Sequence, residues 1–215
     1  MSRLQNIIFD LGGVLINLDF SKTTNAFHEL GFPHFEEMFS QHKADQLFRK
    51  LEKGEISNSD FYEVMLKVGN DSITEVQIRH AWNSLLLDFR AESIGFLEQL
   101  KKEYKIYLLS NTNSIHLDAF NEILEKQMGL PSLDGLFTKA YYSHQIGLRK
   151  PDAEIFEFVL KDAGITATET LFIDDTSENT TAAAAVGIRS HLLLPGERIE
   201  QLAYFRDYLI SSNSI

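Results

Sequence analysis

The 215-residue chain has no cysteine, which excludes disulfide staples and thiolate catalysis and suits a reducing compartment. Lys and Arg are scarce, 20 against 31 Asp and Glu, and the formal net charge is −11. That balance argues against nucleic acid or an anionic membrane as partner, because both reward clustered basic residues. An anionic substrate would have to be drawn in by local charge against the global field. No apolar run approaches the roughly 20 residues that span a bilayer. The N-terminus lacks the basic, apolar, small-residue order of a signal peptide. Repeats, low-complexity tracts and Pro/Gly/Ser linkers are missing too, with only 4 prolines in the chain. These absences leave a soluble, cytoplasmic globular protein as the expectation. Its length suits one large domain or a domain carrying an insertion.

What the chain does contain is a change of rhythm. The run Asn6-Ile7-Ile8-Phe9 reads as a buried strand that ends in Asp10, followed at once by Gly12 and Gly13. From Ser21 to about Leu87 the apolar spacing is helical. Ala44, Leu47, Phe48 and Leu51 share one face, with Gly54 as a stop. Ser57 with Asp60 opens a second segment, and Thr74 with Gln77 has capping-box spacing ahead of Ile78, Ala81, Trp82 and Leu85. From about Glu92 onward helices alternate with short apolar strands at Tyr104–Leu109, Phe137–Tyr142, Thr170–Ile173 and His191–Leu194. The intervening helices are expected around 119–126, 153–163 and 179–186. Continuous apolar strands alternating with helices imply a parallel sheet covered on both faces. The expected fold is therefore α/β, three-layer and doubly wound, with a mainly parallel sheet of about five strands. An all-helical unit at residues 19–87 interrupts a core formed by 1–18 and 88–215.

In such sheets ligands bind at the carboxyl ends of the strands. Asp10, Ser110 and the pair Asp174–Asp175 each follow directly on an expected strand. Asp10 alone reads as a turn-initiating acid, or as a nucleophile or metal ligand held on a rigid strand end. Ser110-Asn111-Thr112-Asn113 precedes a helix, which suits Thr112 or Asn113 as its cap. Ser110 and the neighbouring backbone N–H groups suit an anion. Lys150, before Pro151, is a compact cation able to neutralise an anion at the sheet edge. One of Asp174 and Asp175 would suffice for capping. Two adjacent acids are costly without a cation, and together with Asp10 they supply the hard oxygen ligands that Mg²⁺ prefers. Glu178 and Asn179 are placed to support that site from the next turn.

The order of these signals resembles that of the haloacid dehalogenase (HAD) superfamily. Asp10 matches the nucleophile, Ser110 the second-motif hydroxyl, Lys150 the third-motif lysine, and Asp174–Asp175 the acidic fourth motif. The stretches FDLGGVL, LEKGEIS, LLSNTN, GLRKPDAEIF and IDDTSEN look closest to a sub-group of small HAD phosphatases. The resemblance implies a Mg²⁺-dependent phosphatase acting on a small phosphorylated metabolite, a sugar phosphate foremost, through an aspartyl-phosphate. Catalysis would fall to Asp10, Ser110 and Lys150. Phosphate would be bound by Ser110, Asn111 and Lys150, and the metal by Asp10, the Gly12 carbonyl, Asp174 and Asp175. The helical unit would be a cap, in which His42, Lys43 or Trp82 could reach substrate, although Trp82 lies on an apolar face that suits core packing and His42 and Lys43 suit a solvated surface.

One departure stands out. Most phosphatases of the superfamily carry a second Asp two residues after the nucleophile as general acid and base, and here that residue is Gly12. A leaving group as acidic as an anomeric hydroxyl needs less protonation; a cap residue or water could otherwise transfer the proton, and Asp19 is a candidate substitute acid whose distance in sequence from Asp10 gives no geometry. Two other readings share the fold. A 2-haloacid dehalogenase also lacks the second Asp, attacks carbon and needs no metal, but clustered carboxylates would repel its substrate and the developing halide. A non-catalytic phosphate- or protein-binding module is the other, and the retention of Asp10, Lys150 and the acidic pair argues against it.

Overall fold

The computed structural model describes residues 3–35, 42–69 and 72–205, with the backbone alone at 42–45. The side chains of His42 and Lys43 therefore lie outside the described residues. Strand β1 (Asn6–Phe9) is buried along its whole length and occupies the centre of a five-stranded sheet. Its neighbours are β4 (Lys105–Ser110) on one side and β6 (Thr170–Asp174) on the other, both parallel to it. Strand β5 (Lys139–Tyr142) extends the sheet beyond β4, and β7 (Arg189–Leu192) extends it beyond β6. The order β5-β4-β1-β6-β7 thus turns around at β1. A crevice opens beyond the carboxyl ends of the strands at such a reversal.

Both faces of the sheet are covered, which explains why its three central strands, β1, β4 and β6, are mostly apolar runs. Ile7, Phe9, Ile106, Leu108, Leu171 and Ile173 point to one face, where they meet helix α5 (Ala91–Leu100) and helix α6 (Ser114–Met128). The alternate residues Ile8, Tyr107, Leu109 and Phe172 meet Ile155, Phe156 and Val159 of α8 (Ala153–Ala163) and Ala183 of α9 (Ser177–Ala185). A fully buried side chain of this size contributes about 1.5–3 kcal/mol by leaving water. The short α7 (Ser143–Ile146) follows β5 directly.

The helical insertion comprises α1 (Phe20–Glu29), α2 (His42–Glu52), α3 (Asn58–Val68) and α4 (Glu75–Asn83). Ser57 with Asp60 and Thr74 with Gln77 form complete capping boxes, as their spacing predicts. Gly54 ends α2 with φ of +64°, and a Cβ there would sit 2.2 Å from the His144 carbonyl oxygen of the sheet domain. The insertion has its own aromatic core. Phe27 stacks on Phe35 at 4.0 Å between ring centroids, and Phe48 stacks on Trp82 at 4.9 Å. Trp82 is buried in this core, as its apolar helical face predicts.

An antiparallel ribbon joins insertion to sheet, formed by β2 (Ile16–Leu18) and β3 (Leu86–Phe89). The helical reading of the residues up to Leu87 did not anticipate it. The segment Leu86-Leu87-Asp88-Phe89 is too short to reveal a period by itself, and its pairing with Ile16–Leu18 spans about 70 residues. Gln127 completes the ribbon, its amide bonding both the N–H and the carbonyl of Phe89 at 2.8 Å. Among the described residues, no helix is long and apolar enough to cross a membrane.

Candidate active site

Register brings the acids together. Phe9 pairs with Leu108 and Ile173, so Asp10, one step on, lies level with Asp174 and beside the end of β4. The Asp10 N–H donates to the Ile173 carbonyl at 2.9 Å, which holds it at the strand exit. Lys150 reaches the same point from the loop before α8. Its ammonium donates to Asp10 Oδ1 at 2.5 Å and to Asp174 Oδ2 at 2.7 Å, although these residues are 140 and 24 positions away. Lys150 is only 1% exposed and Asp174 is fully buried.

The oxygens of Asp174 are fully engaged. Thr176 N–H donates to Oδ1 at 2.8 Å, and the Asn179 amide donates to Oδ1 and Oδ2 at 3.1 and 3.0 Å. Asn179 thus supports the site from α9, as expected, whereas Glu178 is exposed and does not line the cavity. Asn111 positions Lys150 by a reciprocal pair. Its amide donates to the Lys150 carbonyl and accepts from the Lys150 N–H, both at 2.8 Å. The Asn111 side chain is therefore committed to the Lys150 backbone, which leaves its own backbone N–H for an anion. Ser110 is buried at the end of β4 and lines the cavity. Asn113 caps α6 by accepting from His116 N–H at 3.0 Å, and Thr112 is tied to Ser143.

The charges do not balance. Carboxylate oxygens of Asp10, Asp174 and Asp175 lie within 4.8 Å of one another. One ammonium against three carboxylates leaves two negative charges in excess. Burial pushes the Lys150 ammonium toward its neutral form, but Asp10 and Asp174 outweigh that and raise its pKa. Burial also acts most strongly on Asp10. Lys150 opposes it and Asp174 adds to it, and the carboxyl is pushed up to about 7. Burial and then Asp174 raise Asp175 as well. A divalent cation with a preference for oxygen would cancel this excess, so the residues fit Mg²⁺. Gly13 keeps the approach open. With φ of +67°, a Cβ there would fall 1.9 Å from Asp175 Oδ2.

At Gly12 a Cβ would lie 4.0 Å from Asp10 Oδ2 but only 2.7 Å from Leu18 Cδ1. Leu18, from the ribbon, occupies the space beside the nucleophile-matching acid. Asp19 is not among the residues that line the cavity. It caps α1, accepting from Ser21 N–H at 3.0 Å and from the Ser21 hydroxyl at 2.6 Å. Those bonds, the hydroxyl foremost, hold its carboxyl below the ordinary range.

Above this cluster is a cavity of about 440 Å³ between sheet and insertion. Several of its walls come from residues that sequence reasoning missed, among them Thr23, Glu52, Leu86 and His116. Glu52 of α2 accepts from Arg149 at 3.0 Å, and Ser114 donates to Asn58 at 2.7 Å, so the insertion is tied down over the site. His116 stacks on Trp82 at 4.9 Å and shares a 2.8 Å hydrogen bond with Asn83. None of these carries a local motif. Each reads as an ordinary helix residue, and for Thr23, Glu52 and Leu86 the only signal was the insertion's position after the first acid.

Three comparisons bear on this geometry. A model of the haloacid dehalogenase-like hydrolases matches residues 4–187. D-ribitol-5-phosphate phosphatase of Bacteroides thetaiotaomicron is 32% identical over 176 residues, 82% of this chain and 85% of that protein. A HAD family enzyme from the same organism, solved in complex with magnesium and inorganic phosphate, is 36% identical. It superposes with a TM-score of 0.86 over 93% of this chain and 99% of that one. A HAD-like family hydrolase from Porphyromonas gingivalis is 30% identical, with a TM-score of 0.84 over 100% of both chains.

Proposed function

Because the chain belongs to the haloacid dehalogenase-like hydrolase family, we propose that it is a Mg²⁺-dependent phosphatase working through an aspartyl-phosphate. Its substrate in this reading is a small phosphomonoester, a sugar phosphate foremost. The observation that carries the proposal is the buried Asp10–Lys150–Asp174 bridge, with Asp175 beside it at the mouth of the cavity. Support for a sugar phosphate comes from the relative that hydrolyses D-ribitol 5-phosphate. A 2-haloacid dehalogenase is disfavoured by the excess negative charge, which a halide-releasing site would have no use for.

Asp10 is held at the strand exit to attack phosphorus. The P–O bond to the alcohol breaks with its electron pair on the alcohol oxygen, which takes a proton from solvent. Water then attacks the phosphorus of the aspartyl-phosphate, releasing inorganic phosphate and restoring Asp10. Lys150 favours the ionised form of Asp10 against its burial and faces the phosphoryl oxygens, and Ser110 with the Asn111 N–H binds them from β4. Asp10, the Gly12 carbonyl and Asp175 would hold Mg²⁺, with Asp174 steadying the cluster. When bound, the metal supplies the positive charge that draws a phosphate into an acidic protein. The insertion excludes water and shapes the alcohol's end of the site.

The test is phosphate release from p-nitrophenyl phosphate, glucose 1-phosphate, glucose 6-phosphate and D-ribitol 5-phosphate, with and without Mg²⁺. Turnover should require the metal and vanish in Asp10→Asn. Metal-independent dechlorination of 2-chloropropionate without phosphatase activity would overturn the proposal.

A further inference from the structure

The alcohol's end of the cavity differs in character from the phosphate's end. Apart from Leu18, which stands beside Asp10, the apolar walls include Phe20, Phe48, Trp82, Leu85 and Leu86. Two of the polar side chains interspersed among them already have partners. Thr23 donates its hydroxyl to the Trp82 carbonyl at 3.4 Å, and Glu52 is held by Arg149. Phe20 sharpens the contrast. It lines the cavity yet is 67% exposed, at the start of α1 where the chain enters the insertion. A large aromatic side chain kept in water at the mouth of a hydrocarbon-walled cavity gains free energy when an apolar ligand covers it.

We propose that phosphomonoesters of apolar alcohols are a second substrate class of this site, their hydrocarbon part lying against Phe20, Leu18, Trp82 and Leu86. The proposal rests on the phosphatase reading above and adds the chemistry of the leaving group. Hydroxyls buried against these walls would lose water without regaining partners, whereas methylenes gain by transfer. The reaction is the same hydrolysis: water in, free alcohol and inorganic phosphate out.

A series of n-alkyl phosphates from propyl to octyl tests this, because the acidity of the leaving alcohol barely changes along it. With Mg²⁺ present and each ester below its micelle concentration, kcat/KM should rise with chain length, by up to about fourfold per methylene. 1-Naphthyl phosphate, run alongside, separates a flat aromatic occupant from a flexible chain. Phe20→Ser, a change at an exposed position that leaves the core intact, should lower the octyl-to-propyl ratio of kcat/KM by about tenfold. A flat chain-length dependence in the unmodified protein, with sugar phosphates still turned over, would overturn the inference alone. Absence of Mg²⁺-dependent phosphate release from every ester, p-nitrophenyl phosphate included, would overturn the phosphatase reading with it.

Discussion

Gly12 is small because Leu18 stands where its side chain would go, 2.7 Å from a Cβ, and the space leads on to Asp10 Oδ2. A carboxyl restored at this position therefore needs the Leu18 side chain to shift, and a smaller residue at Leu18 gives it room. Gly12→Asp with Leu18→Ala should raise kcat on a primary alkyl phosphate by about 10²-fold, the lower end of what a positioned general acid supplies. Gly12→Asp alone should gain much less, and steady-state kinetics on both variants would show it. His116 offers a second prediction at this scale. Burial drives its pKa from 6.5 down to about 3, so the folded protein refuses a proton that the unfolded chain binds below pH 6.5. Stability from this group is complete above pH 6.5 and declines as pH falls through the window down to about 3. At pH 5 the loss is about 2 kcal/mol. Urea unfolding at pH 7 and pH 5 should show that decline in the unmodified protein and a shallower one in His116→Gln. Asp10, Ser110, Lys150 and the Asp174–Asp175 pair each leave a local mark that is ambiguous alone, and it is their order along one expected sheet edge that made the candidate site legible. His116 was not, since a histidine in the first turn of a helix reads as nothing in particular.

At the scale of elements, local signals and long-range pairings part company. The two capping boxes, the Gly54 stop and the bounds of α8 follow from a few adjacent residues, and the structure places them where the sequence predicts. Thr74 Oγ1 accepts from the Gln77 N–H at 3.3 Å while Gln77 Oε1 accepts from the Thr74 N–H at 2.9 Å. Thr74→Ala should cost about 0.5–2 kcal/mol, seen as a lower urea midpoint at unchanged slope. The β2–β3 ribbon could not be read in the same way. Its strands are short and the whole insertion lies between them in the chain. That ribbon carries Leu18 and Leu86 into the cavity, so two walls of the site came from the element that sequence periodicity missed.

The molecule as a whole carries −11 charges, while its site is built to receive a phosphate. Long-range repulsion should slow the encounter at low salt, when the Debye length is about 30 Å at 0.01 M, and fade near 0.15 M, where it is about 8 Å. At saturating Mg²⁺, kcat/KM should therefore rise with KCl across that range, whereas a site steered by positive charge would show a fall. What the sequence by itself determined was the class of fold, the order of the strands' carboxyl-end residues and the chemistry those residues can perform. These depend on alternation, apolar runs and side-chain type, all of which are local properties. Only the tertiary structure decided that one lysine bridges two acids, that oxygens of the three carboxylates lie within 4.8 Å of one another, and that hydrocarbon walls the cavity beside them. Those outcomes are sums over residues up to 140 positions apart, and electrostatic balance and cavity shape exist only after the chain has brought them together.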